Sequence, residues 1–205
     1  MKKDKVIDMA LAIAGIMLVG IGIAFISSAS LGNDAIGMMY DGIRCALNLS
    51  PEQLGNASNI VNLVLALTVL LLNRHYINIG TVIYVLPYGK MVDLGGKLYH
   101  TIFNSQTLSI QIVGATMGCC LLYFGVAMFI VADIGLDPFT GFVMVLRDKL
   151  KREYKYVKIF FDIACVVIGF SLGGRLGVIT IITSLFAGPT IQFFTMNIKK
   201  VTKKV

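Results

Sequence analysis

Residues 22–44, GIAFISSASLGNDAIGMMYDGIR, align without a gap onto residues 125–147, GVAMFIVADIGLDPFTGFVMVLR, at a shift of 103 positions. Gly22, Ala24, Ala29, Gly32, Asp34 and Arg44 fall on Gly125, Ala127, Ala132, Gly135, Asp137 and Arg147. Ile23/Val126, Leu31/Ile134, Ile36/Phe139 and Ile43/Leu146 are conservative apolar matches in the same register. Six identities at one place relative to a long apolar run read as a duplication. The chain therefore divides into two homologous halves, 1–100 and 108–205, within a single membrane domain. Asn62 and Asp162 recur inside corresponding apolar stretches further along.

Each copy joins a long apolar run to a glycine, an aspartate and a short amphipathic segment. Composition says what solvates those runs. Apolar residues make up 57% of the 205, charged residues 14%, and the mean hydropathy is +0.82. A soluble domain normally carries about a quarter charged residues, so this chain is solvated by lipid. Six stretches are long and apolar enough to span: 6–29, 57–73, 77–97, 109–132, 157–173 and 176–196. The first is too long for a signal peptide, and its second half recurs later.

The net charge of +7 is concentrated in three clusters. They are Lys2, Lys3 and Lys5; Arg147, Lys149, Lys151, Arg152, Lys155 and Lys158; and Lys199, Lys200, Lys203 and Lys204. Between apolar runs such clusters mark cytoplasmic loops rather than nucleic-acid binding. Residues 30–56 contain one basic residue, Arg44, whereas the equivalent stretch 133–159 contains six. An odd number of spans per half would place the first short segment outside and the second inside, in keeping with that asymmetry. The expected architecture is an all-α integral membrane protein with six main transmembrane helices plus two short amphipathic or re-entrant helices. These form two three-span repeats in inverted topology, with both termini cytoplasmic. An eight-crossing parallel repeat is the alternative, and would put the Lys-free 48–56 loop in the cytoplasm.

The short segments carry apolar stripes, Ile36, Met39, Ile43 and Leu47 in one and Phe139, Phe142, Val143 and Leu146 in the other. Asp34 and Asp137 each stand where the preceding span should end, and an aspartate there can cap the next helix by accepting its free N–H groups. Pro138 suits the first helical turn. The same geometry admits a second reading. Two interrupted helices related by pseudo-symmetry can enclose a ligand site between exposed carbonyls and positive helix N-termini. Ser27, Ser28, Ser30, Asn33 and Asp34 would line one half of that site, and Asp133, Asp137 and Thr140 the other. Asp133 takes the position of Ser30; it is either a functional carboxylate or the interfacial end of a span that stops at Ala132.

Asn62 is expected to bridge helices, and Asp162 either to pair with Lys158 or to relay protons. Local pairs are expected between Asp93 and Lys90, between Arg44 and Asp41, and between Arg147 and Asp148 or an acid across the repeat. Gly114 and Gly118 form a GxxxG match suited to close helix contact, within the chain or in a dimer. Gly173, Gly174, Arg175 and Gly177 read as a tight hairpin; no strand precedes it, so it is no phosphate loop. Cys45, Cys119, Cys120 and Cys165 lack metal spacing and read as packing residues. His75 and His100 are placed in loops, no nucleophile with a base can be assembled, and neither an enzyme nor a metal or cofactor site is expected.

At the paired breaks, Ala29-Ser-Leu-Gly-Asn-Asp and Ala132-Asp-Ile-Gly-Leu-Asp-Pro-Phe-Thr-Gly, with Gly80-Thr81 and Ala187-Gly188-Pro189 closing the halves, the chain resembles the bacterial YczE/YyaS/YitT family of small membrane proteins. The resemblance implies a multi-pass protein of the bacterial inner (plasma) membrane, and export of small molecules has been suggested for relatives. The expected function is a small secondary transporter or exporter of an unidentified solute, with Asp137, Asp133 and Asp34 as ligand or proton groups. The alternative is a non-transporting membrane component, either a substrate-capturing subunit or a regulatory scaffold. Expected partners are the lipid bilayer, a small-molecule solute, and a second copy or a partner subunit. Ala35 stands where the second half has Pro138, and Ser30 where it has Asp133, so a strictly symmetric site is not implied.

Overall fold

The computed structural model describes residues 2–105 and 107–202. Lys203 and Lys204, and the side chains of Lys2, Lys3, Lys5 and Lys155, lie outside the described residues. Eight α-helices and two 3-10 turns run in order: α1 (Lys2–Ser28), α2 (Ala35–Ala46), the turn Pro51–Gln53, α3 (Leu54–Asn73), the turn Arg74–Tyr76, α4 (Ile79–Ile102), α5 (Leu108–Ala132), α6 (Pro138–Leu150), α7 (Tyr154–Ser171) and α8 (Val178–Thr202). Each half thus contributes a long helix, a short one and two more long ones, and no strand occurs among the described residues.

Four stretches are suited to a membrane crossing by length and composition: Val6–Ser28, Pro51–Tyr76, Leu108–Ala132 and Val178–Thr202. The expected spans at 77–97 and 157–173 fold as α4 and α7 but are more polar, the two helices each carrying three charged residues, Lys90, Asp93 and Lys97 in α4 and Lys155, Lys158 and Asp162 in α7. Apolar side chains such as Leu63, Leu71, Leu86, Phe160 and Leu185 stand exposed on the outside of the bundle. In water such a surface would aggregate; in a bilayer it is the solvated face.

Between helices in lipid there is little hydrophobic gain to be had, so close packing and hydrogen bonds decide which pairs associate. The most extensive contact joins α1 to α5. It depends on four glycines. A Cβ on Gly15 would meet the Gly125 carbonyl oxygen at 2.7 Å, and one on Gly22 the Gly118 carbonyl oxygen at 2.7 Å. Contact numbers rise along α1 as they fall along α5, so the two helices run antiparallel. Adding 103 to 15 and 22 gives 118 and 125, so the 103-residue shift exchanges one contact with the other.

The remaining packing follows the same exchange. Helix α4 lies on α1 and α8 on α5; α2 packs on α7 and α6 on α3. At the α2–α7 contact a Cβ on Gly42 would meet the Gly169 carbonyl oxygen at 2.5 Å, and in the α6–α3 contact one on Gly141 would meet Val69 at 3.6 Å. The GxxxG glycines pack within the chain, Gly118 against Ile26 and Gly114 against the Tyr99 ring.

One local expectation, the placement of His100, is corrected: the residue lies in the last turn of α4 rather than in a loop. The buried face of α2 is Gly37, Met38, Tyr40, Asp41 and Gly42, whereas Ile36, Met39 and Ile43 are half-buried and Leu47 is exposed. The close approach at Gly42 turns α2 toward α7, which a stripe of large side chains does not reveal.

Gly22→Leu places a branched side chain against the backbone of Gly118 and Leu122. It is expected to cost about 1–3 kcal/mol and to lower the thermal unfolding midpoint of the detergent-solubilised protein. Gly188→Ala, where nothing lies within 4 Å of the added carbon, is expected to leave that midpoint unchanged.

Candidate functional site

Both long-helix ends break in the same way. After α1, Ser30 (φ 60°) and Gly32 (φ 105°) turn the chain through left-handed geometry; after α5, Asp133 (φ 50°) and Gly135 (φ 146°) do so. A side chain is poorly tolerated at the second of these φ values, which explains the paired glycines. A third pair follows at the ends of the short helices, Asn48 (φ 53°) and Lys151 (φ 51°), again 103 residues apart. Polar backbone released by each break is taken up by the opposite half. The Leu31 carbonyl accepts from the Ile179 N–H at the start of α8 (3.1 Å), and the Leu136 carbonyl accepts from the Thr81 hydroxyl at the start of α4 (2.7 Å). In lipid such groups must be satisfied by protein.

Asp34 and Asp137 then cap the short helices. Asp34 Oδ1 accepts from the Gly37 N–H at 3.2 Å, and Asp137 Oδ1 from the Thr140 N–H at 3.0 Å. The capping role is therefore real for both acids, and it aims two helix N-termini into the bundle.

Between those N-termini lies a knot of tyrosines. Tyr84 and Tyr88 stack at 4.9 Å, and Tyr40 meets Tyr88 and Phe139 edge-on at 6.0 and 5.7 Å. Both Asp34 and Asp137 act electrostatically on Tyr84 and Tyr88. Asn62, fully buried, donates through Nδ2 to the Tyr40 hydroxyl (3.0 Å) and to the Ser58 carbonyl (2.9 Å). Its Oδ1, and that of the buried Asn33, have no hydrogen-bond partner among the described residues. Asp162 takes both oxygens to Lys158 Nζ at 2.5 and 2.6 Å, and that pair also acts on Asp34. The Lys158–Asp162 pair is about one-third exposed, whereas Asn33 and Asn62 are buried and each keeps a spare amide acceptor. Buried acceptors are rarely left unmade in a finished core, so each of these two amide oxygens has room in its hydrogen bonding for one more donor.

Of the seven predicted site residues, Asn62 bonds to Tyr40 and Asp34 and Asp137 act on Tyr84 and Tyr88, whereas Asp162 is held by Lys158 and Asn33 is buried near Gly37. Ser30 and Asp133 lie in two separate cavities, one at each break. One cavity, of about 180 Å3, is lined by Ser27, Ser28, Ser30, Glu52, His100 and Arg175 among others. The second, of about 380 Å3, is lined by His75, Tyr76, Asn78 and the run from Asp133 to Leu136. Asp133 is exposed there, at the C-terminal end of α5.

Each cavity adjoins a tie between the end of a short helix and a link of the other half. Asp41 accepts from Arg44 Nε and from the Arg175 N–H, both at 2.9 Å. At the other break Tyr76 donates to Asp148 at 2.5 Å and accepts from Arg147 Nη2 at 3.2 Å, while Arg147 pairs with Asp148 at 2.7 Å. Hydrogen bonds from Tyr76 and Arg147 hold the Asp148 carboxyl below its ordinary range. The expected Arg44–Asp41, Lys158–Asp162 and Arg147–Asp148 pairs form. Asp93 instead accepts from the Gly55 N–H at 2.8 Å, satisfying an open donor at the start of α3.

The tyrosines and Arg175 were not anticipated as site residues. Tyr84 and Tyr88 stand one helical turn apart in a stretch expected to be lipid-embedded, which is a readable signal. Tyr40 and Arg175 depend on partners far away in the chain.

Residues 6–196 match the family of unknown function DUF6198. The chain is 20% identical over 194 residues to the uncharacterized membrane protein YczE of Bacillus subtilis (strain 168), covering 94% of this chain and 87% of that one. It is 22% identical over 177 residues to an uncharacterized protein of Haemophilus influenzae (strain ATCC 51907 / DSM 11121 / KW20 / Rd), covering 86% and 78%. No solved structure matches. With nearly its whole length inside the family's boundaries and its surface clothed for lipid, the chain belongs to DUF6198 and is a YczE-like membrane protein.

Proposed function

We propose that the protein is a small secondary transporter or exporter, with two inverted halves enclosing a solute site near the bilayer midplane. The observation that carries this reading is the α1–α5 crossing. Two helices that are equivalents in the duplication run antiparallel and touch at Gly15–Gly125 and Gly22–Gly118, two contacts that the repeat exchanges. Antiparallel equivalents are the mark of an inverted repeat, and transporters of that plan hold their ligands at discontinuous helices between the halves. Here the discontinuities are the breaks at Gly32 and Gly135, and the capped N-termini of α2 and α6 face the tyrosine cluster.

Six crossings agree with this plan. Helices α4 and α7, with 24 and 18 residues, reach about 36 and 27 Å at roughly 1.5 Å per residue, against a hydrocarbon core of about 30 Å. Helices α2 and α6, with 12 and 13 residues, are too short to cross. The basic residues of 147–158 then share one side with both termini, which the positive-inside rule makes cytoplasmic. The cavities at Ser30 and at Asp133 become mouths on opposite faces.

A second reading has one observation in its favour. Only 17% of the α8 span is buried within the bundle, against 56%, 44% and 50% for the other three, so α8 offers an apolar flank to a partner subunit. Solute flux in liposomes containing the purified protein alone favours the transporter. Absence of flux with stable co-purification of another membrane subunit favours the second reading.

In a background with the four native cysteines replaced, single cysteines at Asn48 and at Lys151 are expected to react with membrane-impermeant reagent from opposite sides. Labelling from the same side would replace the inverted arrangement with a parallel one. Asp137→Asn retains a capping side chain but removes the charge. It is expected to leave the unfolding midpoint nearly unchanged while abolishing flux or ligand-induced stabilisation, whereas Asp137→Ala loses the cap as well, at about 1 kcal/mol. Unaltered flux in a well-folded Asp137→Asn protein would reduce Asp137 to a cap.

A further inference from the structure

We propose that the smaller cavity, at the break after α1, binds a small zwitterion through its oxyanion at Arg175 and its protonated amine at Glu52. The assignment concerns binding alone and does not require that the protein move solute.

The argument is a count of partners. Two arginines line the cavity, and they are not equivalent. Arg44 is committed: Nε donates to Asp41 at 2.9 Å, Nη1 to the Leu49 carbonyl at 2.9 Å and Nη2 to Cys45 Sγ at 3.1 Å. Arg175 makes one side-chain bond, from Nη1 to the Ser30 hydroxyl at 2.9 Å. Its backbone N–H takes the second oxygen of Asp41. Asp41, only 3% exposed, therefore spends one oxygen on Arg44 and the other on a peptide group. The Arg175 guanidinium keeps four of its five donors and has no carboxylate partner among the described residues.

Glu52, in the Pro51–Gln53 turn, lines the same cavity. Its carboxylate has no hydrogen bond or ion pair among the described residues, and lies more than 4 Å from either guanidinium. Both side chains are exposed, so two opposite charges border one open, water-filled space without pairing with each other. A guanidinium with free donors matches the planar, two-oxygen face of a carboxylate or phosphate, and the Ser27, Ser28 and Ser30 hydroxyls beside it can add hydrogen bonds. The cavity, at about 180 Å3, lies below the roughly 300–1,000 Å3 of sites for drug-sized molecules. A ligand that carries both charges across a short span fits it better than either ion alone.

Two sources supply that chemistry: a free amino-acid-like solute, or the phosphoethanolamine headgroup of a lipid at the edge of the bilayer. The test uses purified full-length protein in detergent, titrated calorimetrically with glycine, phosphoethanolamine, acetate and methylamine at constant ionic strength. Saturable binding of glycine or phosphoethanolamine is expected, with acetate and methylamine weaker by roughly tenfold or more. Arg175→Gln and Glu52→Gln are each expected to weaken the zwitterion by a similar factor. Arg175→Gln leaves the backbone bond to Asp41 in place, and Glu52 is exposed, so both variants should fold. Glu52→Gln should leave acetate binding unchanged or tighter, an effect that general destabilisation would not produce.

Repeating the titration in nanodiscs separates the sources. Competition from phosphatidylethanolamine but not phosphatidylglycerol identifies the headgroup as occupant, and equal affinity in both identifies the free solute. The proposal is overturned if acetate binds as well as glycine, if Glu52→Gln has no effect on the zwitterion, or if no probe binds saturably. None of these results bears on flux, which is read separately in liposomes.

Discussion

The architecture depends on how closely two backbones can approach where α1 crosses α5. In lipid the attraction between helices comes from contact at short range, and a single methyl group at any of the four crossing glycines would hold the axes apart. With the crossing made, α4 and α8 follow as outer neighbours of α1 and α5, and the short helices fall against long helices of the opposite half. Nothing comparable in extent joins any other pair of helices. The centre, both cavities and the ties at their rims inherit their positions from this one contact.

Much of this was legible in the chain because the duplication repeats small, local signals. The aspartate caps and the breaks at Gly32 and Gly135 are set by near neighbours, and neighbours survive comparison of two sequence segments; the left-handed turns at Ser30 and Asp133 were not legible there. The Arg44–Asp41 and Lys158–Asp162 pairs are likewise one helical turn long. Which face of α2 is most buried was not legible, for the converse reason. Its orientation is imposed by Gly169, more than a hundred residues away, and an amphipathic stripe in a membrane helix does not distinguish protein from lipid as it distinguishes protein from water.

The same limit explains the candidate site. Asn62 could be suspected from its apolar setting, but its bond to Tyr40 joins two helices, and Tyr40 is only one of many aromatic residues in a lipid-soluble chain. Asp93 illustrates the point from the other side. A lysine three residues away suggested an ion pair, yet the open N–H at the start of α3 is the partner it takes, because an unpaired peptide group inside the bundle is costlier than a lysine that can extend toward water.

The two halves have not stayed identical, and the difference falls where each long helix ends. One mouth of the molecule presents a serine hydroxyl backed by a guanidinium, while the other presents the carboxylate of Asp133. In the proposed inverted arrangement, a molecule that met first one opening and then the other would find a guanidinium and a carboxylate at the first and the Asp133 carboxylate at the second. The serine at one break and the aspartate at the other thus give two similarly folded halves an intrinsic sense of direction.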